Sequence, residues 1–226
     1  MAYTNSNLVV YTRLSPNYNP RNNKIKKITI HHMAGNFTVE QCGNGFAAHS
    51  RKASSNYGIG TDGRIAMYVE EKNRAWTSSN AANDYQAITI EVANDGKANW
   101  HVSDAAYASL IKLCIDICKR NGIEELVYTG DATGNLTRHN MFVATSCPGA
   151  YLQSKFPEIV EEVNKALKNG TVINGNSQGN KKSNEEMAKE VIRGLWGNGT
   201  ERKNKLTAAG YDYKAIQAIV NKLMRG

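Results

Sequence analysis

A polar stretch near the C-terminal end, NGTVINGNSQGNKKS (169–183), limits most strongly how this chain can fold. It consists mainly of Gly, Asn, Ser and Lys and has few apolar side chains to bury. Such a composition predicts a flexible linker rather than part of a core. The sequence therefore predicts two separate folding units, residues 1–168 and residues 184–226, joined by this linker.

The first segment alternates β-type runs with amphipathic helices. Residues 24–33 (KIKKITIHHM) and 87–95 (AITIEVAND) are typical of strands, and SSNYGIGTDGRIAMYVEE is typical of a hairpin that turns at Asp62-Gly63. Apolar residues at helical spacing predict helices at about 104–120 and 151–168. A short strand is predicted between them, at about 125–128. This pattern indicates an α/β fold with a central mixed β-sheet flanked by helices.

The second segment predicts a small three-helix bundle. Its helices are NEEMAKEVIRGL, ERKNKLTAAG and DYKAIQAIVNKLM. Gly210 suits the end of the second helix, and Asp212 suits the N-cap of the third.

The chain is basic, with a net charge of +8. Residues 169–226 contain ten Lys and Arg against five Asp and Glu, so this part carries +5 of that charge. A basic surface attracts nucleic acid, anionic lipid or an acidic wall polymer, and charge alone does not choose among them. We find no nucleic-acid-binding motif, no apolar run of membrane-spanning length and no signal-peptide pattern. We therefore expect a protein made in the cytoplasm without an export signal, which binds neither nucleic acid nor membrane.

The cysteines do not form the spacing pattern of a small disulfide-stabilised domain. Cys114 and Cys118 share one apolar face of the helix predicted at 104–120, so we expect buried thiols there. Cys147 lies in a different context, TRHNMFVATSCPGAYL, in which Pro148 and Gly149 predict a turn after the thiol.

His31, His139 and Cys147 form a candidate metal site. His31 ends a predicted strand, and His139 and Cys147 share one loop. Three such ligands leave a fourth position open, which is the pattern of a catalytic zinc. Spacing alone also allows a Cys147 nucleophile activated by His139, or no site at all.

Four motifs favour the metal site over these alternatives, because they resemble a known family. ITIHHMAG, SSNYGIGTDG, AITIEVAND and RHNMFVATSCPG occur in the order found in type-2 N-acetylmuramoyl-L-alanine amidases. That family includes phage endolysins and is related to the peptidoglycan recognition proteins. The resemblance covers about residues 10–165. It implies hydrolysis of the amide between N-acetylmuramic acid and L-alanine, with one zinc held by His31, His139 and Cys147, and it selects His31 over His32.

The resemblance also implies roles for other residues. Tyr57 matches an active-site tyrosine that hydrogen-bonds the attacking water or the carbonyl oxygen. Glu91 matches a general acid or base, and Thr145 matches a donor to the developing oxyanion. Tyr57 and Glu91 overlap in proposed role, and the sequence does not rank them. Where many relatives have Ala-Trp-His-Ala-Gly, this chain reads AWTSSN, so Trp76 is expected to line the substrate groove while Thr77 replaces the histidine.

The C-terminal segment resembles the CW_7 cell-wall-binding repeat. Trp196, Tyr211 and Tyr213 are candidate surfaces for sugar rings, with Arg193 as a charged donor, although a small bundle also needs aromatic residues for its core. The implied partner is bacterial peptidoglycan, with a Gram-positive wall favoured, and the implied outcome is lysis of a phage host. The oligomeric state is left open.

Three rival hypotheses predict different results. A recognition protein that binds peptidoglycan without cutting it would hold no stoichiometric zinc. A cysteine hydrolase built on Cys147 and His139 would survive chelation and lose activity on thiol alkylation. A nucleic-acid-binding protein would act through the basic C-terminal segment.

Overall fold

The computed structural model describes residues 3–169, 183–192, 194–209 and 211–224. The chain divides into two compact units, Met1–Gly175 and Asn176–Gly226. Residues 170–182 of the predicted linker lie outside the described residues, and so do Arg193 and Gly210 with their predicted roles.

The first unit contains a mixed β-sheet, which confirms the predicted fold class. Its strands are β1 Tyr11–Thr12, β2 Tyr18–Pro20, β3 Lys27–His32, β4 Tyr57–Ile59, β5 Ile65–Met67, β6 Asn73–Ala75, β7 Ala87–Val92 and β8 Leu136–Arg138. The main sheet has the order β1-β5-β4-β7-β3-β8, and β2 pairs with β6 in a separate antiparallel ribbon. In the main sheet β4 and β5 run antiparallel, and the other strand pairs are parallel.

The described residues of this unit form four α-helices: α1 Val39–Phe46, α2 Ala81–Asp84, α3 Asp104–Asn121 and α4 Ala150–Lys168. Helices α3 and α4 confirm the two predicted helices. Helix α3 begins after Ser103, whose Oγ accepts a hydrogen bond from the Ala106 N–H at 3.2 Å. It ends at Gly122, which takes a left-handed φ of 66° that suits glycine.

The two faces of the sheet have different partners. Successive side chains of a strand point to opposite faces, so register decides which residues share a face. Ile30 pairs with Ile90, and both belong to the buried core that includes α3 and α4. His31 pairs with Glu91 and therefore lies on the other face with it. This alternation separates an apolar core face from a polar face that carries the candidate site.

The predicted hairpin is confirmed by the antiparallel pairing of β4 with β5. Its turn contains Gly63, which has a φ of 81°. A Cβ at this position would lie 2.8 Å from the Ala105 carbonyl oxygen, so glycine is required for both conformation and space.

The predicted strand at 125–128 is wrong. These residues form no strand, and the edge strand of the sheet is β8. The Val127 carbonyl oxygen accepts hydrogen bonds from the backbone N–H groups of Asn135 and Leu136, at 3.0 and 3.1 Å. Because the Val127 carbonyl oxygen bonds to residues 135 and 136 at the end of the same loop, this segment does not pair as a strand of the sheet, although its side chains favour a strand.

The second unit confirms the predicted three helices within its described residues. They are α5 Asn184–Ile192, α6 Gly199–Ala208 and α7 Tyr213–Leu223. Their shared core consists of Met187, Ala188, Val191, Leu206, Ile216 and Val220. The Asp212 side chain accepts hydrogen bonds from the Lys214 and Ala215 N–H groups, which confirms it as the N-cap of α7. Trp196, Tyr211 and Tyr213 pack against this core while remaining partly exposed.

Cys114 and Cys118 are fully buried thiols on α3, as predicted. Among the described residues, no helix combines the length and apolar character needed to cross a membrane.

Candidate metal centre

Strand β3 delivers His31 to the polar face of the sheet. The side chain is almost completely buried, with 1% of its surface exposed. The strand positions it because Ile28 and Ile30, on alternate residues, anchor the opposite face in the core.

His139 and Cys147 come from the loop that follows β8. His139 begins a single 3₁₀ turn, His139–Met141, directly after the strand. The loop then folds back, so that the Asn140 N–H donates to the Cys147 carbonyl oxygen at 3.2 Å. This closure brings the thiol beside the end of β3.

The three side chains form a compact cluster. One ligand atom from each of His31, His139 and Cys147 lies within 4.8 Å of the other two. His31 Nδ1 is 3.6 Å from Cys147 Sγ, and the two imidazole centroids are 4.6 Å apart. His31 Nε2 and His139 Nε2 are buried without a hydrogen-bond partner. In the described part of the chain this is the one His, Cys, Asp and Glu cluster that could hold a metal ion.

The electrostatic environment favours neutral imidazoles. Burial lowers the pKa of His31 well below its ordinary value, and the neighbouring His139 and His32 lower it further. Burial also lowers the pKa of His139, while Asp84 opposes this shift. Both rings are therefore neutral near pH 7, which is the form that binds metals.

The same environment raises the pKa of the Cys147 thiol and so disfavours the thiolate that would bind a metal. Burial raises its pKa, nearby Glu91 raises it further, and the His32 backbone N–H, which donates to Sγ at 3.4 Å, opposes the rise. The thiol is thus protonated near pH 7 unless a cation stabilises the thiolate.

Glu91 lies beside the cluster but outside it. It is the register partner of His31 in β7, and its Oε2 is buried without a hydrogen-bond partner. Burial raises the pKa of Glu91 to about 8, with Arg51 opposing the shift. A carboxyl group that titrates near neutrality is suited to proton transfer.

Tyr57 does not reach the cluster, and its predicted role there is corrected. Its register partner is Ile90, which places it on the core face, opposite to His31 and Glu91. Its hydroxyl donates to Glu71 Oε1 at 2.6 Å and accepts from the Ser6 N–H at 2.9 Å. Tyr57 is therefore a core residue.

Thr145 contacts the backbone of Cys147, whereas the contacts of Trp76 are with other parts of the first unit. Thr145 is exposed, and its Oγ1 accepts a hydrogen bond from the Cys147 N–H at 3.3 Å. Trp76 is half-buried on the loop after β6, with its Nε1 donating to Asn19 Oδ1 at 2.7 Å. The next residue, Thr77, donates through Oγ1 to the Ser54 carbonyl oxygen at 2.7 Å. The threonine that replaces the histidine of Ala-Trp-His-Ala-Gly therefore forms a hydrogen bond within the first unit.

Sequence reasoning missed the residues that support the ligands. The ring of His32 is hydrogen-bonded to Asn94 Nδ2 at 3.0 Å, and its edge meets Trp100. Asp84 influences His139 electrostatically and accepts hydrogen bonds from the Thr77 and Ser78 N–H groups. The one sequence signal for these supporting residues was Asn94, a polar residue just after the apolar strand β7.

Comparison with known families matches both segments of the chain. A model described as N-acetylmuramoyl-L-alanine amidase matches residues 21–150, and a CW_7 repeat model matches residues 185–224. The lysozyme of Streptococcus phage Cp-7 is 50% identical over 50 residues, which are 22% of this chain and 15% of that protein. The chain therefore matches only a small part of the length of this curated relative.

Solved structures share the fold of the first unit. PlyL has a TM-score of 0.56 at 14% identity, over 74% of this chain and 99% of that chain. The Drosophila peptidoglycan recognition protein SA has a TM-score of 0.52 at 17% identity, over 65% of this chain and 90% of that chain.

Proposed function

The chain belongs to the N-acetylmuramoyl-L-alanine amidase family, and from this premise we propose that it is a zinc-dependent endolysin of the phage type. Its reaction is hydrolysis of the amide between N-acetylmuramic acid and L-alanine in peptidoglycan. The observation that carries the proposal is the cluster of His31, His139 and Cys147, all of which lie inside the family match.

The spacing of His31 and Cys147 suits a pair of zinc ligands. In a tetrahedral site with Zn–S near 2.3 Å and Zn–N near 2.0–2.1 Å, nitrogen and sulfur ligands lie about 3.6 Å apart. His31 Nδ1 and Cys147 Sγ are 3.6 Å apart. Two imidazoles and one thiolate leave a fourth position open, as in catalytic zinc sites. When bound, zinc polarises a carbonyl and lowers the pKa of a bound water.

The protein's own residues supply proton transfer and orientation. Burial raises the pKa of Glu91 to about 8 in the metal-free protein, and a cation held by the neighbouring ligands would lower it, so that the carboxylate form is available near neutral pH. It receives a proton from the attacking water and returns it to the leaving L-alanine nitrogen. The Thr145 hydroxyl is exposed beside the Cys147 N–H and donates to the oxyanion as it develops.

Substrate binding is divided between the two units. Trp76 lines the groove of the catalytic domain, residues 1–168. Residues 184–226 form the wall-binding module, whose partly exposed Trp196, Tyr211 and Tyr213 offer faces for sugar rings. The linker at 169–183 joins them. The partner is the peptidoglycan of a Gram-positive wall, where the enzyme acts after release from the host cytoplasm.

Two rival functions have discriminating tests. A binding-only recognition protein would carry no stoichiometric zinc. A cysteine hydrolase would need a Cys147 thiolate, whereas burial and Glu91 raise the pKa of this thiol. Retained activity under strong chelation would favour the cysteine hydrolase.

The test is bond mapping on purified peptidoglycan. We expect new amino groups on L-alanine without new reducing sugar ends, loss of cleavage on chelation, and recovery with zinc. Cys147→Ala should abolish cleavage, whereas the control Cys118→Ala, a buried thiol on α3, should retain it. Cleavage at any other bond, or full activity in Cys147→Ala, would contradict the proposal.

A further inference from the structure

Trp100 stands next to the turn that carries Cys147, in a backbone conformation that is unusual for its side chain. Its φ is 53°, in the left-handed region. Bulky residues are rarely found there. Such strain persists only where the surroundings hold it, and it concentrates at functional sites.

The Trp100 side chain packs against both His32 and Gly149. Its ring meets the His32 imidazole edge to face, with centroids 4.8 Å apart. A Cβ built on Gly149 would lie 2.8 Å from Trp100 Cβ and 3.1 Å from His32 Nδ1. The turn after Cys147 therefore closes directly onto Trp100, and a side chain on Gly149 would push them apart.

Both neighbours of Trp100 are connected to the proposed ligand Cys147. The His32 backbone N–H donates to Cys147 Sγ at 3.4 Å. Gly149 follows Cys147 by two residues, and its N–H donates to the Ser146 carbonyl oxygen at 2.7 Å, which closes the turn around the thiol. A shift of Trp100 would therefore be transmitted to Sγ from two sides.

The loop that presents Trp100 is braced by its own hydrogen bonds. The Asp95 N–H donates to the His101 carbonyl oxygen at 2.9 Å, and the Trp100 N–H donates to the Lys97 carbonyl oxygen at 2.8 Å. Asp95 Oδ1 also accepts from the His101 N–H at 3.1 Å. The Tyr151 N–H, in α4, donates to the Asn99 carbonyl oxygen at 3.3 Å. The loop is thus tied to the helix that begins just after the Cys147 turn.

We propose that Trp100 is a positioning residue that packs against His32 and Gly149 and holds Cys147 Sγ in place for the metal. The proposal rests on the zinc site of the proposed function. Partners that orient metal ligands typically change metal affinity by about 10- to 100-fold when they are removed.

The test compares zinc affinity in the full-length protein, measured by competition with a chromophoric chelator. We expect Trp100→Ala to bind zinc about 10- to 100-fold more weakly than the wild type. Trp100→Phe keeps an aromatic ring against His32 and should restore most of the affinity. The control His101→Ala removes an exposed neighbouring ring whose side-chain contact is with Tyr151, and it should bind zinc like the wild type.

Thermal unfolding of the metal-free proteins separates positioning from a general structural role. If Trp100→Ala lowers the melting temperature but binds zinc within twofold of the wild type, the proposal is overturned. If Trp100→Ala does not fold, Trp100→Leu replaces it in the same comparison, and wild-type affinity in that variant would overturn the proposal. A wild-type protein that binds no zinc would refute the proposed metal site and this inference with it.

Discussion

Glu91 lies in an environment unlike that of a surface carboxylate, and it bears the proposed proton transfer. Its Oε2 has no hydrogen-bond partner, and its pKa is raised to about 8 by burial. His31 and Cys147 are proposed to bind the metal and do not need to transfer protons. Predictions at the residue scale therefore concern Glu91.

Glu91→Gln should lower kcat without releasing zinc. The amide has nearly the same shape but cannot transfer a proton, and general acid–base catalysis contributes about 10²- to 10⁴-fold to rate. Turnover of a soluble muramyl peptide, measured beside zinc content, checks this. A kcat within twofold of the wild type, at full zinc content, would remove Glu91 from the mechanism.

Glu91 should also make the stability of the metal-free protein depend on pH. Between about pH 4.5 and about 8 the folded state keeps a proton that the unfolded state releases. Stability is therefore full below the lower value and falls as pH rises toward the upper one. Glu91→Gln should flatten this slope and raise the free energy of unfolding at pH 8 by on the order of 2 kcal/mol, a figure that allows for solvent screening. Denaturant titrations at a series of pH values measure it, and parallel curves for the two proteins would count against the buried carboxyl.

At the scale of elements, strand register decides which residues share the site. Tyr57 belongs to the hairpin strand β4, and its pairing with Ile90 places it in the core beneath α3. The motif SNYGIG specifies that a strand is present, but it does not specify its register against β7. The sequence therefore predicted the strand, but the active-site role that the resemblance implied for Tyr57 does not agree with this register.

Tyr57→Phe should cost stability rather than catalysis. The change leaves the buried Glu71 Oε1 and the Ser6 N–H without their hydroxyl partner. Loss of hydrogen bonds to a charged buried group costs about 1.5–3 kcal/mol. We expect a lower free energy of unfolding and unchanged kcat per folded molecule. A selective fall in kcat with unchanged stability would return Tyr57 to the active site.

Elements with strong periodicity were predictable, and short ones were not. Helices α3 and α4 and strands β3 and β7 carry long, regular apolar patterns. Helix α1 contains Gly43 and Gly45, which disfavour a helix, and it forms because the Thr38–Gln41 capping box and the buried ends Val39 and Phe46 stabilise it. The edge strand β8 is three residues long, too short to show a side-chain pattern of its own.

His139 and Cys147 were found because their motif was recognised. The proposed role of Trp100 depends on a backbone conformation that the sequence does not reveal.

At the scale of the whole molecule, the two units have separate cores and separate family matches. A wall-binding module raises the local concentration of a tethered catalytic domain at its substrate. Amide hydrolysis by the first unit and wall binding by the second unit should therefore be separable.

A variant that ends at residue 168 should cleave a soluble muramyl peptide at the full-length rate. On intact walls at low enzyme concentration, we expect it to be at least about tenfold slower, because the tethering effect is lost. Turbidity loss of a wall suspension, compared with turnover of the soluble peptide, measures the difference. Equal rates on walls would show that residues 184–226 do not deliver the enzyme.

The identity of the proposed zinc ligands can be measured most directly by X-ray absorption at the zinc edge of the reconstituted full-length protein. We predict one sulfur at about 2.3 Å and nitrogen ligands at about 2.0–2.1 Å, with the sulfur absent in Cys147→Ala. A wild-type zinc shell without sulfur, or a sulfur signal that survives in Cys147→Ala, would contradict the site formed by His31, His139 and Cys147.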